Sequence, residues 1–361
     1  MVSSFRGRSV KTFLAAIGLA GWLGSASSAA FASSELHVLN WQGWGTDEPW
    51  AIEQFEKTYS VKIVHDYITS FPEAFTKLKT NPGYYDIIDL STPFTVQATD
   101  QGLLQSIDVG KLKNFKDLYP DFRDSPQLNR DGKVYGVAWI WGGTSVAYDT
   151  DVFKEAPTSL KVLWDPKYAG QVCWRDDAED AVRFTALAIG QNPDNPTDMM
   201  QIREKLRGLK PQIKVFWKSE DEWLKLVASK ECALSIIWTT STEKAKVEHK
   251  LPVSFFVPTE GAIAARDALS IPKNPQNPDA AYAFIDYMIS PEFYVGWVKA
   301  GGAPVAANAA AIEQLPESSL TKTVLTRPDA LKRLNLKGPL SDQQRQAYLD
   351  LWQEMKAFMA Q

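Results

Sequence analysis

Asp176, Asp177 and Asp180 stand close together just after an apolar run, Val172-Cys173-Trp174, that reads as a strand. They therefore fall at its carboxyl end. Three acids on one strand-to-helix turn have three uses. Their side chains cap the helix that follows. They ion-pair with the ammonium of a ligand. Or two of them act as the paired carboxylates of a hydrolase, a reading that lacks a second acid group in a suitable neighbourhood. Thirteen Trp is a high count for 361 residues. Most belong to a core, and those near strand ends are candidates for ligand walls, because an indole face attracts cations and stacks on flat groups.

Other chemistry is not legible. The chain has no G-x-S-x-G elbow, no H-E-x-x-H and no phosphate-binding loop of the G-x-x-x-x-G-K type. His37, His65 and His249 are not at metal-ligand spacing. Tyr84-Tyr85 is either a tyrosine pair for ferric iron or the lead into a strand at Asp86, and the second is preferred. Cys173 and Cys232 lack a C-x-x-C partner, so a structural zinc is not expected. The two are either buried free thiols or, in an oxidising compartment, a bridge. Such a bridge closes a loop of about 60 residues and is worth roughly 3–4 kcal/mol in the chain-entropy model.

The start of the chain sets the compartment. Arg6, Arg8 and Lys11 precede an apolar run from Phe13 to Leu23, and Ala30-Phe31-Ala32 supplies a small-x-small cleavage pattern. This reads as a removable secretory leader over residues 1–32, too short to span a bilayer about 30 Å thick. With no Cys at the cut, a lipid anchor is not expected, and the bacterial periplasm is the simplest destination. The formal net charge is −4, and the basic leader leaves the mature part more acidic still. Nothing there neutralises phosphates, so nucleic acid is excluded as a partner.

The mature chain, about 330 residues, is too long for one ordinary core and suits two lobes. Strands are expected at Leu36–Asn40, Val61–Val64 and Asp86–Leu90, with helices starting near Thr46 and spanning Phe71–Lys79 and Thr95–Gln101. This alternation argues for βαβ units and a mainly parallel sheet, whose ligands bind beyond the strands' carboxyl ends. Val137–Gly143 reads as a strand crossing between lobes. A second α/β stretch follows, with strands near 170–174, 212–216 and 233–238, and Ala268–Pro272 reads as the return crossing. Helices are expected at 277–290, 307–314, 317–326 and 341–360. Two crossings between two lobes make a hinged cleft able to close on a small molecule.

The order and spacing of several segments give the chain a family resemblance. They are Leu39-Asn40-Trp41, Tyr85-Asp86-Ile87-Ile88, Ser91-Thr92, the run Tyr135–Gly142, the run Leu163–Gly170, Arg175-Asp176-Asp177-Ala178, Ile237-Trp238 and Asp267–Pro272. Over nearly the whole mature chain the sequence resembles the polyamine-binding proteins of bacterial ABC importers (spermidine/putrescine type, type II periplasmic-binding fold). The resemblance implies an α/β fold with two lobes. Residues 33–138 plus 270–306 make lobe 1, and 139–269 plus 307–361 make lobe 2 with the C-terminal helices. It implies a receptor, not an enzyme, that needs no cofactor or metal, works as a monomer and hands a small cationic solute to an inner-membrane permease.

Carried over by position, Trp41, Trp44 and Trp238 are aromatic walls of the site. Ser91 is a polar contact, Asp177 and Asp180 are acids that grip an amine, and Asp267 is the deepest carboxylate. The chain also departs from the pattern. Its first loop reads Trp41-Gln42-Gly43-Trp44, without the family's acid, and Ala265 and Ala303 replace two aromatic walls. Arg266, if it points inward, repels an amine and favours a carboxylate. An amino-acid-like or other mixed-charge solute is therefore the alternative to a polyamine. A secreted hydrolase and a sensor subunit that signals to a membrane receptor are the readings from other classes.

Overall fold

The computed structural model describes residues 34–300 and 304–361. The expected leader, 1–32, and Ala303 lie outside the described residues. The chain opens with β1 (Ser34–Asn40), α1 (Pro49–Tyr59), β2 (Val61–Tyr67), α2 (Phe71–Thr80), β3 (Ile87–Ser91) and α3 (Thr92–Asp100). A short helix, α4 (Pro120–Arg123), and a small hairpin of β4 (Asn129–Arg130) and β5 (Lys133–Val134) lead into the long strand β6 (Val137–Asp149). The second lobe holds β7 (Val172–Arg175), α5 (Ala178–Ala188), α6 (Met199–Arg207), β8 (Ile213–Trp217), α7 (Glu220–Ala228), β9 (Leu234–Trp238), α8 (Thr239–Val247) and β10 (Val253–Phe256). The return strand β11 (Ala262–Ser270) is followed by α9 (Pro278–Met288), α10 (Pro291–Ala300), β12 (Val305–Ala306), α11 (Ala309–Glu313), α12 (Pro328–Leu331), β13 (Leu334–Leu336) and α13 (Asp342–Met359).

The strands form one sheet in the order β2-β1-β3-β11-β6-β9-β7-β8, with β10 and β12 added to β6 and β13 added to β11. Within each lobe the pairs are parallel: β1 with β2 and β3, and β7 with β8 and β9. Such strands are covered on both faces, so they read as apolar runs, as Leu36 to Leu39 and Val172 to Trp174 do. The two crossing strands, β6 and β11, pair antiparallel with each other at the centre. They carry the sheet from one lobe into the other.

The return crossing begins earlier than the apolar run Ala268–Pro272 suggests, at Ala262. Ala262-Ile-Ala-Ala-Arg-Asp267 has poor intrinsic strand character. Its extended form comes from pairing with β6 on one side and β13 on the other. The first crossing is likewise longer than Val137–Gly143, because β9 and β10 pair with its second half.

Each lobe has its own core. Phe55, Trp139, Phe284 and Phe293 belong to the cluster beside β1 and the crossing strands. Trp174, Phe184, Leu206 and Trp352 belong to the cluster around β7 and α5. The tail divides between them. Ala311, Ile312 and Leu325 pack with the first cluster, and Tyr348, Leu351, Trp352 and Met355 of α13 with the second. Cys173 and Cys232 are joined by a disulfide, with a sequence separation of 59. It ties β7 to the segment entering β9. Among the described residues no helix is long and apolar enough to cross a membrane.

A cleft with two unlike charge centres

The first charge centre lies where β3 and β11 meet. Ser91 pairs in register with Asp267, and Asp89 with Leu269. Side chains two residues apart share a strand face, so Asp89, Ser91 and Asp267 lie on one face. Asp89 is fully buried and Asp267 partly so. A bulge between Asp267 and Ala268 gives β6 an extra residue there, Trp139, whose indole N–H donates to Asp89 Oδ1 at 3.0 Å. The Trp44 indole N–H donates to Asp267 Oδ2 at 2.9 Å. Among the described residues no Lys or Arg nitrogen lies within 4.0 Å of either carboxylate. Burial first, and the Asp267 carboxylate second, hold Asp89 well above the ordinary range. Burial pushes Asp267 up to about 6, while the Trp44 N–H pulls the other way.

The loop that carries Trp44 is pinned from within. Gly43 N–H donates to Asp47 Oδ2 at 2.7 Å, and Asn40 donates to the Trp41 carbonyl and to Thr46 Oγ1. Gly45 has a φ of +86°, and a Cβ there would enter the Trp297 ring. Only glycine suits that position. Trp44 remains 40% exposed. Trp41 packs edge-on against Phe71 with centroids 5.3 Å apart, at the margin of a lobe 1 cluster. Ser91 occupies the N-cap position of α3, yet its side chain makes no capping bond, so its hydroxyl is unspent.

The second charge centre is the turn from β7 to α5, and here the acids meet cations of the protein itself. Asp177 caps α5: its Oδ1 accepts from the Asp180 N–H at 2.8 Å. Burial and the neighbouring Asp180 raise its pKa. Asp180 is fully buried, with Arg175 Nη1 at 2.8 Å and Lys337 Nζ at 3.1 Å. Burial pushes its carboxyl up, but Lys337 and Arg175 together outweigh burial and leave it below the ordinary range. Asp176 turns away from the cleft and binds the Trp352 indole and Lys356 of α13, each at 2.7 Å. Trp238 carries the Arg175 guanidinium over its ring at 4.4 Å. One indole face is thereby covered by a cation of the protein rather than left open.

A groove of about 470 Å³ runs beside the two centres, lined by Ser91, Ala265 and Arg266 on one side and by Glu179 and Lys337 on the other; Asp89, Asp267, Asp177 and Asp180 are not in its wall. Arg266 does not act on the Asp267 face. It lies on the opposite face of β11, over the Phe122 ring, and donates to Thr92 Oγ1, the Asp121 carbonyl, Ser125 Oγ and Gln127 Oε1. The inward arginine considered from the sequence is thus spent within lobe 1.

The structure adds three residues to those expected: Asp89, Arg175 and Lys337. Asp89 was signalled by an acid inside the apolar run Ile87-Ile88-Asp89-Leu90, since a buried charge is the informative exception in a core. Lys337 had no local signal; it reaches the cleft only because β13 adds to β11, where its N–H donates to the Ala264 carbonyl.

The chain is 29% identical over 320 residues to the spermidine/putrescine-binding periplasmic protein of Escherichia coli (strain K12), covering 87% of this chain and 90% of that one. It is 26% identical over 301 residues to a putrescine-binding periplasmic protein of Pseudomonas aeruginosa (strain UCBPP-PA14), covering 78% of this chain and 80% of that one. The solved spermidine/putrescine ABC transporter substrate-binding protein of Streptococcus pneumoniae superposes with a TM-score of 0.79 at 23% identity, covering 91% of this chain and all of that one. The family model of the bacterial extracellular solute-binding proteins matches residues 50–323, and the chain belongs to that family.

Proposed function

We propose that this protein is the receptor of an ABC importer and closes its cleft on a small amine-bearing solute. One observation carries the reading. Asp267 and Asp89 form a carboxylate pair beside an exposed Trp face, with no cation of the protein against them among the described residues. A ligand ammonium supplies the missing charge, and the Trp44 ring covers the alkyl chain next to it. The names of the E. coli and P. aeruginosa relatives support a polyamine-like amine.

In this reading the hinge is the antiparallel pair β6–β11 near Gly142 and Ala265, and the lobes divide at 138–139 and 269–270. The leader over residues 1–32 is removed on export to the periplasm, and the mature protein works as a monomer that delivers its solute to a membrane permease. Of the residues expected to touch the solute, Trp44, Ser91 and Asp267 keep that role. Trp41 backs the Trp44 loop. Asp177, Asp180 and Trp238 organise the far end together with Arg175 and Lys337. The hydrolase alternative needs one of Asp176, Asp177 and Asp180 free for proton exchange, and all three are engaged by partners within the protein.

Titration of the mature protein with putrescine, spermidine and a panel of amino acids, read by tryptophan emission and thermal melting, tests the proposal. A true solute at 100 times its Kd adds about 2.7 kcal/mol of stability. If no amine shifts either signal while a non-amine solute shifts both, the reading fails.

A further inference from the structure

The two ends of the cleft are not equivalent, and this bears on what the other end of the solute carries. At the β3–β11 end Asp267 offers a carboxylate without a cation, with the buried Asp89 behind it. At the β7–α5 end three acids, Asp177, Glu179 and Asp180, are met by three cations. Arg175 lies 3.4 Å from Asp177 and 2.8 Å from Asp180, Lys337 lies 3.1 Å from Asp180 and 3.8 Å from Glu179, and Arg183 lies 2.8 Å from Glu179. Arg183 is also held by Asp194, so the matched set is Asp177 and Asp180 with Arg175 and Lys337, paired before any ligand arrives.

Donors, however, are in excess. The Lys337 ammonium has three N–H donors and makes one hydrogen bond, to Asp180; the Arg175 guanidinium has five and also makes one, to Asp180. A second ligand ammonium at this end meets two cations whose carboxylates are already engaged. A ligand carboxylate meets unspent donors. Lys337 follows β13, which pairs Leu336 with Ala264, so it lies beside Ala265 and two residues along β11 from Asp267. That is roughly 8 Å between backbones, the span of a short alkyl chain with one charged group at each end.

We infer that Lys337 is a built-in cation occupying the second amine position of the cleft, and that the solute is a mixed-charge ω-amino acid. Its ammonium goes to Asp267 and its carboxylate to Lys337 and Arg175. This inference rests on the amine-receptor reading and narrows it. Lys337 is a specificity-determining residue: it excludes diamines by like charge as much as it attracts the acid, since selectivity is a difference between two affinities.

Calorimetric titration of the mature protein with 4-aminobutanoate, 1,4-diaminobutane and 1-aminobutane, three probes of equal chain length, tests it. The amino acid is expected to bind at least tenfold tighter than the diamine or the monoamine. Lys337→Gln is expected to reduce that preference over the diamine at least tenfold, and Lys337→Arg to retain it, with melting curves confirming that each variant folds. Wild-type protein binding the diamine as tightly as the amino acid overturns the inference and leaves the amine-receptor reading standing. That comparison needs no variant. A preference unchanged in folded Lys337→Gln overturns the role of Lys337. Failure of all three probes to bind overturns the inference, and the wider amine titration above then decides the amine-receptor reading.

Discussion

The Trp44 indole N–H reaches Asp267 Oδ2 at 2.9 Å across 223 residues of chain. It joins the loop after the first strand to the return crossing. In the proposed reading Trp44 thereby steadies the carboxylate that meets a cationic solute, while the indole itself stays 40% exposed. A charged group held in this way is already oriented when the ligand arrives, which lowers the ordering cost of binding.

Asp267→Asn should weaken a cationic solute by roughly 2–3 kcal/mol, the usual cost of losing one charged partner of a buried hydrogen-bonded pair. Isothermal titration against wild type measures it. An unchanged affinity removes Asp267 from the site.

The same residue gives a pH signature with two opposite slopes. Burial raises its pKa from the ordinary 3.8 to about 6, so between those values the folded state binds a proton that the unfolded chain has released. That stabilisation is present below about pH 4 and is lost as pH rises through about 6. The stability of the free protein, relative to Asp267→Asn, should therefore fall across this window. Affinity for a cation should rise across the same window and weaken roughly tenfold per pH unit below 6. Denaturant melts and titrations from pH 4 to 8 test both slopes, and parallel slopes contradict the assignment.

Asp180→Asn should behave differently. Asp180 is fully buried against Arg175 and Lys337, so neutralising it strands two cations. A loss of about 3–5 kcal/mol of folding stability is expected, read from the shift of the urea midpoint. Asp267→Asn, with no cation to strand, should cost far less. Equal losses in the two variants contradict the division between a structural and a binding acid.

Reducing the Cys173–Cys232 bridge releases a loop of 59 residues and should cost about 4 kcal/mol in the chain-entropy model. Because Cys173 lies on β7, two residues before Arg175, reduction should also loosen the second charge centre. Melting with and without reductant reads the first effect, and the Kd for 4-aminobutanoate reads the second.

Much of the architecture was legible locally. Apolar runs such as Leu36–Leu39 and Val172–Trp174 mark strands buried on both faces, and the helices expected at Phe71–Lys79 and from residue 277 are present as α2 and α9. These signals are short-range because hydrophobic periodicity and capping act within a turn or a strand. The alternation of strands and helices then argued for two α/β lobes. The sequence alone also marked the group Asp176, Asp177 and Asp180 as able to cap the helix, which Asp177 does, and the pair of Cys as able to bridge.

What tertiary structure decided is which charges meet. Asp177 and Asp180 looked alike as amine ligands, but Arg175 and Lys337 occupy their carboxylates, and Lys337 arrives from β13, 157 residues away from Asp180. Arg266 and Asp267 are neighbours in sequence, yet they face opposite sides of β11 because successive strand side chains alternate. Asp89 and Asp267 become a pair only through the register of β3 with β11. Electrostatic character depends on distance and burial between groups far apart in the chain, and the pairing of strands, rather than any local pattern, sets both.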